Sequence, residues 1–137
     1  MRTSLRDQLV RDEGVKFSAY QDSLGYWTIG IGRLIDARKG GRITLHEAMM
    51  LLDHDIARVE SEVCARWAWF ADLDHARQDV ILNMAFNLGT DGLAKFKTTL
   101  GHVAAGRYAE AATAMLHSRW ATQVGERAQR LAKVMRG

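Results

Sequence analysis

Glu13 and Asp22 lie in the stretch RDEGVKFSAYQDSLGYWTIGIG at residues 11–32, and Thr28 follows shortly after them. Breaking a glycosidic bond through an oxocarbenium-like transition state needs two carboxyl groups. One must be protonated, to donate to the leaving oxygen, and the other ionised, to activate water or attack the sugar. The negative end of a helix beside apolar packing favours a neutral carboxyl, and a position such as that expected of Glu13 suits the donor. Asp22, in the polar turn QDSLG, can be kept ionised by solvent and backbone N–H groups. Thr28, across a hairpin from Asp22, has a hydroxyl able to hold a water in line. Taken alone, the spacing equally suits a solvated helix-end glutamate, a turn aspartate and a β-forming threonine.

These three residues need elements to hold them. Leu5, Leu9 and Val10 recur at helical spacing, Ser4 can cap the start and Gly14 can stop the chain, so a short helix ending near Glu13 is expected. The β-formers around YWTIGIG predict a small hairpin or three-stranded sheet from about Val15 to Ile35. Gly30 and Gly32, alternating with Ile29 and Ile31, are expected on one bare strand face that another backbone or a ligand can approach. After the loop DARKGGR comes a long helix over about 44–63. Thr44 and Glu47 form its capping box, and Met49, Leu52, Ile56, Val59 and Val63 form its apolar face. DVILNMAF is apolar almost all round and reads as a central buried helix stopped by Gly89. Two or three shorter helices, divided by Gly92, Gly106 and Gly125, complete an α+β class that is mostly α.

With 137 residues, the chain has the length of one domain, residues 1–137. Nowhere does an apolar run reach the roughly 18 residues of a membrane span. The charged N-terminus MRTSLRDQLVRDEG lacks the apolar core of a secretory signal, so residence in the cytoplasm is expected. Cys64 is the single cysteine, expected to be buried and inert. From Leu93 onward eight lysines and arginines face two glutamates, a net charge of +6 that leaves −3 on the remainder. A basic half opposed to an acidic one points to an anionic polymer as partner: nucleic acid, teichoic acid or peptide-bearing wall glycan. The five histidines show no metal-ligand spacing, and neither metal nor cofactor is expected.

The full string E-G-x-x-x-x-x-Y-x-D-x-x-G-Y-W-T-I-G-I-G closely resembles the N-terminal segment of the T4-type phage lysozymes, the glycoside hydrolase family 24 endolysins. ITLHEAMMLLDHDI resembles the start of that family's inter-lobe helix, and ILNMAFNLGTDGLAKFKTTL its buried central helix with the short helix after it. SRWATQVGERAQRLAKVM resembles its closing helices. With one gap the likeness covers nearly all of residues 4–135. It implies a lysozyme-like fold: a small catalytic, β-containing lobe with the N-terminal helix over about 1–43, the long helix over about 44–63, and a helical lobe over about 73–137. It further implies a muramidase that hydrolyses the β-1,4 bond between N-acetylmuramic acid and N-acetylglucosamine in bacterial peptidoglycan, with inversion. Glu13 would be the general acid, Asp22 the base, and Thr28 a holder of the water. Leu34, Phe86, Asn87 and Thr99 match substrate-contacting positions. Arg127 matches an arginine that pairs with the catalytic glutamate; an exposed helix-face arginine is the alternative. Arg119 and Trp120 match a cross-lobe charge partner and a core aromatic.

Two departures stand out. A histidine usual after the second glycine is replaced by Arg33, and its aligned aspartate is Asp55; an Arg33–Asp55 ion pair, less pH-dependent than a histidine pair, is expected. The stretch from Leu34 to Thr44 is much shorter than in the longest members, so the upper cleft wall should differ. Among rival readings, a lytic transglycosylase would cut the same bond without needing the Asp22–Thr28 pair. A non-enzymatic basic wall- or nucleic-acid-binding helical protein is a further alternative. Against the nucleic-acid reading, Val124, Ala128, Leu131, Val134 and Met135 read as the packed face of the last helix. Its arginines then form only the wet face. An enzyme of this kind is expected to act as a monomer on peptidoglycan in host lysis, without nucleic acid or stable membrane insertion. It would leave the cytoplasm for the cell wall through a separate holin pore.

Overall fold

Leu5 and Leu9 are both buried, and their spacing makes them one face of helix α1, Thr3–Glu13. Gly14 ends α1 at a positive φ of 73°, its N–H returning to the Val10 carbonyl at 3.0 Å. The helix begins one residue before Ser4, so that serine lies inside the first turn rather than capping it. This computed structural model describes the backbone of residues 3–14, 16–21, 27–30, 33–34 and 44–137, and the side chains of 4–14 and 44–137.

Strands β1 (Lys16–Gln21), β2 (Trp27–Gly30) and β3 (Arg33–Leu34) form one antiparallel sheet in that order. A register shift between Lys16 and Tyr20 marks an irregularity in β1, the kind of device that bends a small sheet. Ile29 pairs with Arg33, so the chain has reversed between them. Gly30 is the last residue of β2, whereas Gly32, expected to share its face, lies outside the described residues.

Helix α2 runs Leu45–Arg66. Its capping box is reciprocal, Thr44 N–H to Glu47 Oε1 at 3.1 Å and Glu47 N–H to Thr44 Oγ1 at 3.1 Å. Leu52, Ile56, Val59 and Val63 are buried along it. Cys64 is exposed, contrary to expectation, because one step of about 100° past Val63 carries it off that stripe. The chain divides into two compact units, Met1–Arg58 and Val59–Gly137, with the division falling inside α2. Within the first unit Arg6 Nε stands 3.5 Å from Asp53 Oδ1, linking α1 to α2.

The second unit is helical: a 3₁₀ turn at Ala68–Asp72, then α3 (His75–Leu88), α4 (Thr90–Ala94), α5 (Lys97–Ala104), α6 (Tyr108–Leu116), α7 (Arg119–Val124) and α8 (Glu126–Arg136). Helix α3 is the core, burying Val80, Ile81, Leu82, Met84 and Ala85, and it packs against α4 and α8 while α6 packs against α5, α7 and α8. Gly89 stops α3, as expected, at φ 78°. Gly92 divides nothing: it lies within α4, and the break comes instead at Lys95–Phe96. Ser118 opens α7 by accepting the Ala121 N–H at 3.2 Å and donating to the Met115 carbonyl at 2.7 Å, which splits the expected YAEAATAMLHSRW helix in two. On α8 Ala128, Leu131, Ala132 and Met135 are buried; Val134 is exposed and Val124 belongs to α7.

Candidate functional site

In the first unit, Glu13 is the last residue of α1, half-buried, next to the glycine that turns the chain away. Thr28 is a β2 residue whose strand partners are Tyr20 and Leu34. Its direct neighbour across the hairpin is thus Tyr20, two residues before Asp22, and not Asp22 itself. Asp22 lies outside the described residues, as do the side chains of Thr28, Arg33 and Leu34. The sheet nevertheless aligns two of the expected site residues, since Thr28 and Leu34 are cross-strand partners. Asp55 on α2 is buried to 7% exposure. A carboxylate so placed needs a donor or a cation to offset its lost hydration.

In the second unit, a cleft of about 840 Å³ opens among α4, α5, α6 and α7. Its wall holds Phe96 and Trp120, edge to face with centroids 6.1 Å apart and planes at 82°. Trp120 is buried, and its indole Nε1 donates to Asn87 Oδ1 at 2.7 Å. Thr99, 3% exposed, lines the same cleft. The structure thus brings Thr99 to the cleft and ties Asn87 to its wall through Trp120, whereas Phe86, half-buried, is not in the lining. Lys95, Lys97, His117 and Arg119 stand around the cleft as well. The two lysines and the histidine were not among the expected site residues; a basic residue on either side of an aromatic, as in KFK, is the signal that marks the lysines.

Arg127 is not an exposed helix-face residue. It is 8% exposed, and its Nε donates to Asn83 Oδ1 at 3.0 Å. Asn83 is itself fully buried in α3, one of the few polar groups in DVILNMAF. Among the described residues no cluster of three metal-ligating side chains occurs, and no helix is long and apolar enough to cross a membrane.

The glycine-ended α1 carrying Glu13, the paired Thr28 and Leu34, and the buried Asn83–Arg127 pair are spread along almost the whole chain. The family described as phage lysozyme matches that same extent, residues 10–136. This chain belongs to the phage lysozyme family. It is thereby an enzyme of the glycoside hydrolase type. A protein named "Probable T4-type lysozyme 1" from Dictyostelium discoideum is 30% identical over 98% of this chain and 95% of its own length. The endolysin of Salmonella phage P22 is 31% identical over 80% of this chain and 76% of its own. The pre-baseplate central spike protein Gp5 of Enterobacteria phage T4 is 32% identical over 96% of this chain, which spans only 27% of that longer protein.

Proposed function

We propose that this phage lysozyme is a muramidase that hydrolyses the β-1,4 bond from N-acetylmuramic acid to N-acetylglucosamine in bacterial peptidoglycan. The observation that carries the reading is the family match over residues 10–136, which includes Glu13 at the end of its helix. In this reading Glu13 protonates the leaving oxygen, Asp22 activates a water on the opposite face of the sugar, and Thr28 holds that water. A single displacement inverts the anomeric centre, for which the carboxyl groups must stand roughly 6.5–9.5 Å apart to leave room for the water. Leu34, Phe86, Asn87 and Thr99 contact substrate. Arg127, held by Asn83, supports the acid with its charge. Arg33 pairs with the buried Asp55, a guanidinium doing a histidine's work without titrating near neutrality.

The two-lobed arrangement belongs to the same proposal: a β-containing catalytic lobe over about 1–43, a joining helix, and a helical lobe over about 73–137. So does its setting. The enzyme works as a monomer without nucleic acid, metal or stable membrane insertion, and it reaches the wall from the host cytoplasm through a holin in phage-induced lysis. The likeness to the T4 central spike protein favours a second setting, in which the same chemistry acts as part of a phage particle. The test of the activity is the identity of the new reducing end in digested peptidoglycan. Borohydride reduction should convert muramic acid to its alcohol. Reduced glucosamine would identify a different bond and overturn the assignment.

A further inference from the structure

The cleft among α4–α7 has an unusual charge arrangement. Lys95, Lys97 and Arg119 line it, with His117 beside them, and among the described residues no aspartate or glutamate does, although Asp91, Glu110 and Glu126 belong to the same unit. Like charges gathered around a concavity repel one another, and low-dielectric walls concentrate their field within it, so the arrangement favours an anion over a neutral guest. The wall formed by Phe96 and Trp120 offers apolar surface beside that field. A suitable ligand therefore combines an aliphatic stretch with carboxylate groups.

In peptidoglycan the N-acetylated sugars are neutral and the muramic lactyl group is consumed in an amide. The remaining negative charge of the repeating unit sits on the carboxylates of the peptide stem. We propose that Lys95 and Lys97 read the charge state of the stems, engaging free stem carboxylates so that walls with amidated stems are poorer substrates. The inference rests on the muramidase reading and adds to it a specificity that the catalytic residues do not supply. Both lysines are exposed and flank the break between α4 and α5, so replacing them leaves the core untouched.

The experiment uses peptidoglycan freed of phosphate polymers, either with its stem carboxyls free or after their conversion to amides, and compares the chain with Lys95→Gln/Lys97→Gln. Two contacts of this rim type predict that amidation raises KM roughly three- to tenfold for the unaltered chain. In the double variant KM on the free-carboxyl wall should rise to meet the amidated value, and the preference should disappear. A second readout uses Glu13→Gln protein, co-sedimented with the two walls; it should bind the free-carboxyl wall more tightly, and 0.5 M salt should remove the difference. Equal KM values on the two walls, or a preference that survives in the double variant, would overturn the proposal. So would a preference that appears only when phosphate polymers are left on the wall. Full digestion by Glu13→Gln would instead count against Glu13 as the acid and so against the muramidase reading, while the KM comparison between the two walls would still report on the lysines.

Discussion

At the scale of single residues, Glu13 and Asp22 carry the heaviest claim. General acid–base catalysis supplies about 10²–10⁴-fold per group, so Glu13→Gln and Asp22→Asn should each lower the rate of muropeptide release by at least about 10²-fold. Activity within tenfold of the unaltered chain for Asp22→Asn would demote it and bring the transglycosylase reading forward. Asp74 tests a different part of the account, because it caps α3 by accepting the Arg77 N–H at 3.2 Å and the Arg77 guanidinium at 2.9 Å. Burial is the largest single influence and pushes its carboxyl up, but the hydrogen bonds from the Arg77 side chain and backbone, with the arginine's charge, together outweigh it and hold the carboxyl below the ordinary range. A depressed folded value means that its stabilisation is present above the unfolded value, about pH 4, and fades as pH falls through the folded one. Asp74→Ala should therefore cost about 1 kcal/mol in urea denaturation near neutral pH and less at pH 3. A cost that grows on acidification would reverse the assignment. The sequence made Glu13 and its stop at Gly14 legible because cap and periodicity are local. It did not reveal the Asn83–Arg127 pair, whose partners are distant in sequence and joined by packing alone. Arg127 also violates a local rule, lying in the first turn of α8 where the helix end is positive. Such violations collect where function outweighs stability.

At the scale of elements, the capping box at the start of α2 and the Gly89 stop after α3 followed directly from residue types. The breaks inside the C-terminal half did not. Periodicity continues across Lys95–Phe96, and Ser118 gives little warning that its hydroxyl will both close α6 and open α7. Thr44→Ala removes one arm of the box and should lower stability by about 1 kcal/mol, read as a shift in the urea midpoint at constant slope. Arg77 reaches the last helix from α3. It donates to the Met135 carbonyl at 2.7 Å and the Arg136 carbonyl at 3.2 Å, and its guanidinium stacks 3.9 Å from the Tyr108 ring centroid. One side chain thus ties α3 to the closing end of α8 and to α6. Arg77→Ala should cost about 2–3 kcal/mol, since hydrogen bonds from a charged donor are worth more than neutral ones. Hydrogen exchange should show the loss first in α8. Unchanged protection there would mean that the buried Leu131 and Met135 hold the helix unaided.

At the scale of the whole molecule, the charge split along the chain gave the class of partner but not its identity. Nucleic acid, teichoic acid and wall glycan all answer to a basic half, and only the likeness along the full chain separates them. Its local counterpart, the cleft rimmed by Lys95, Lys97 and Arg119 with no acid among the described residues, could be recognised only once α4, α5 and α7 were placed together. The central claim is that water, activated opposite Glu13, cleaves the glycan. We would digest purified peptidoglycan in ¹⁸O-water with the chain and with Glu13→Gln, and weigh the released muropeptides. The account predicts hydrated muramic reducing ends carrying the label from the unaltered chain, and none from the variant. Unlabelled 1,6-anhydro ends, or equal release from Glu13→Gln, would contradict it.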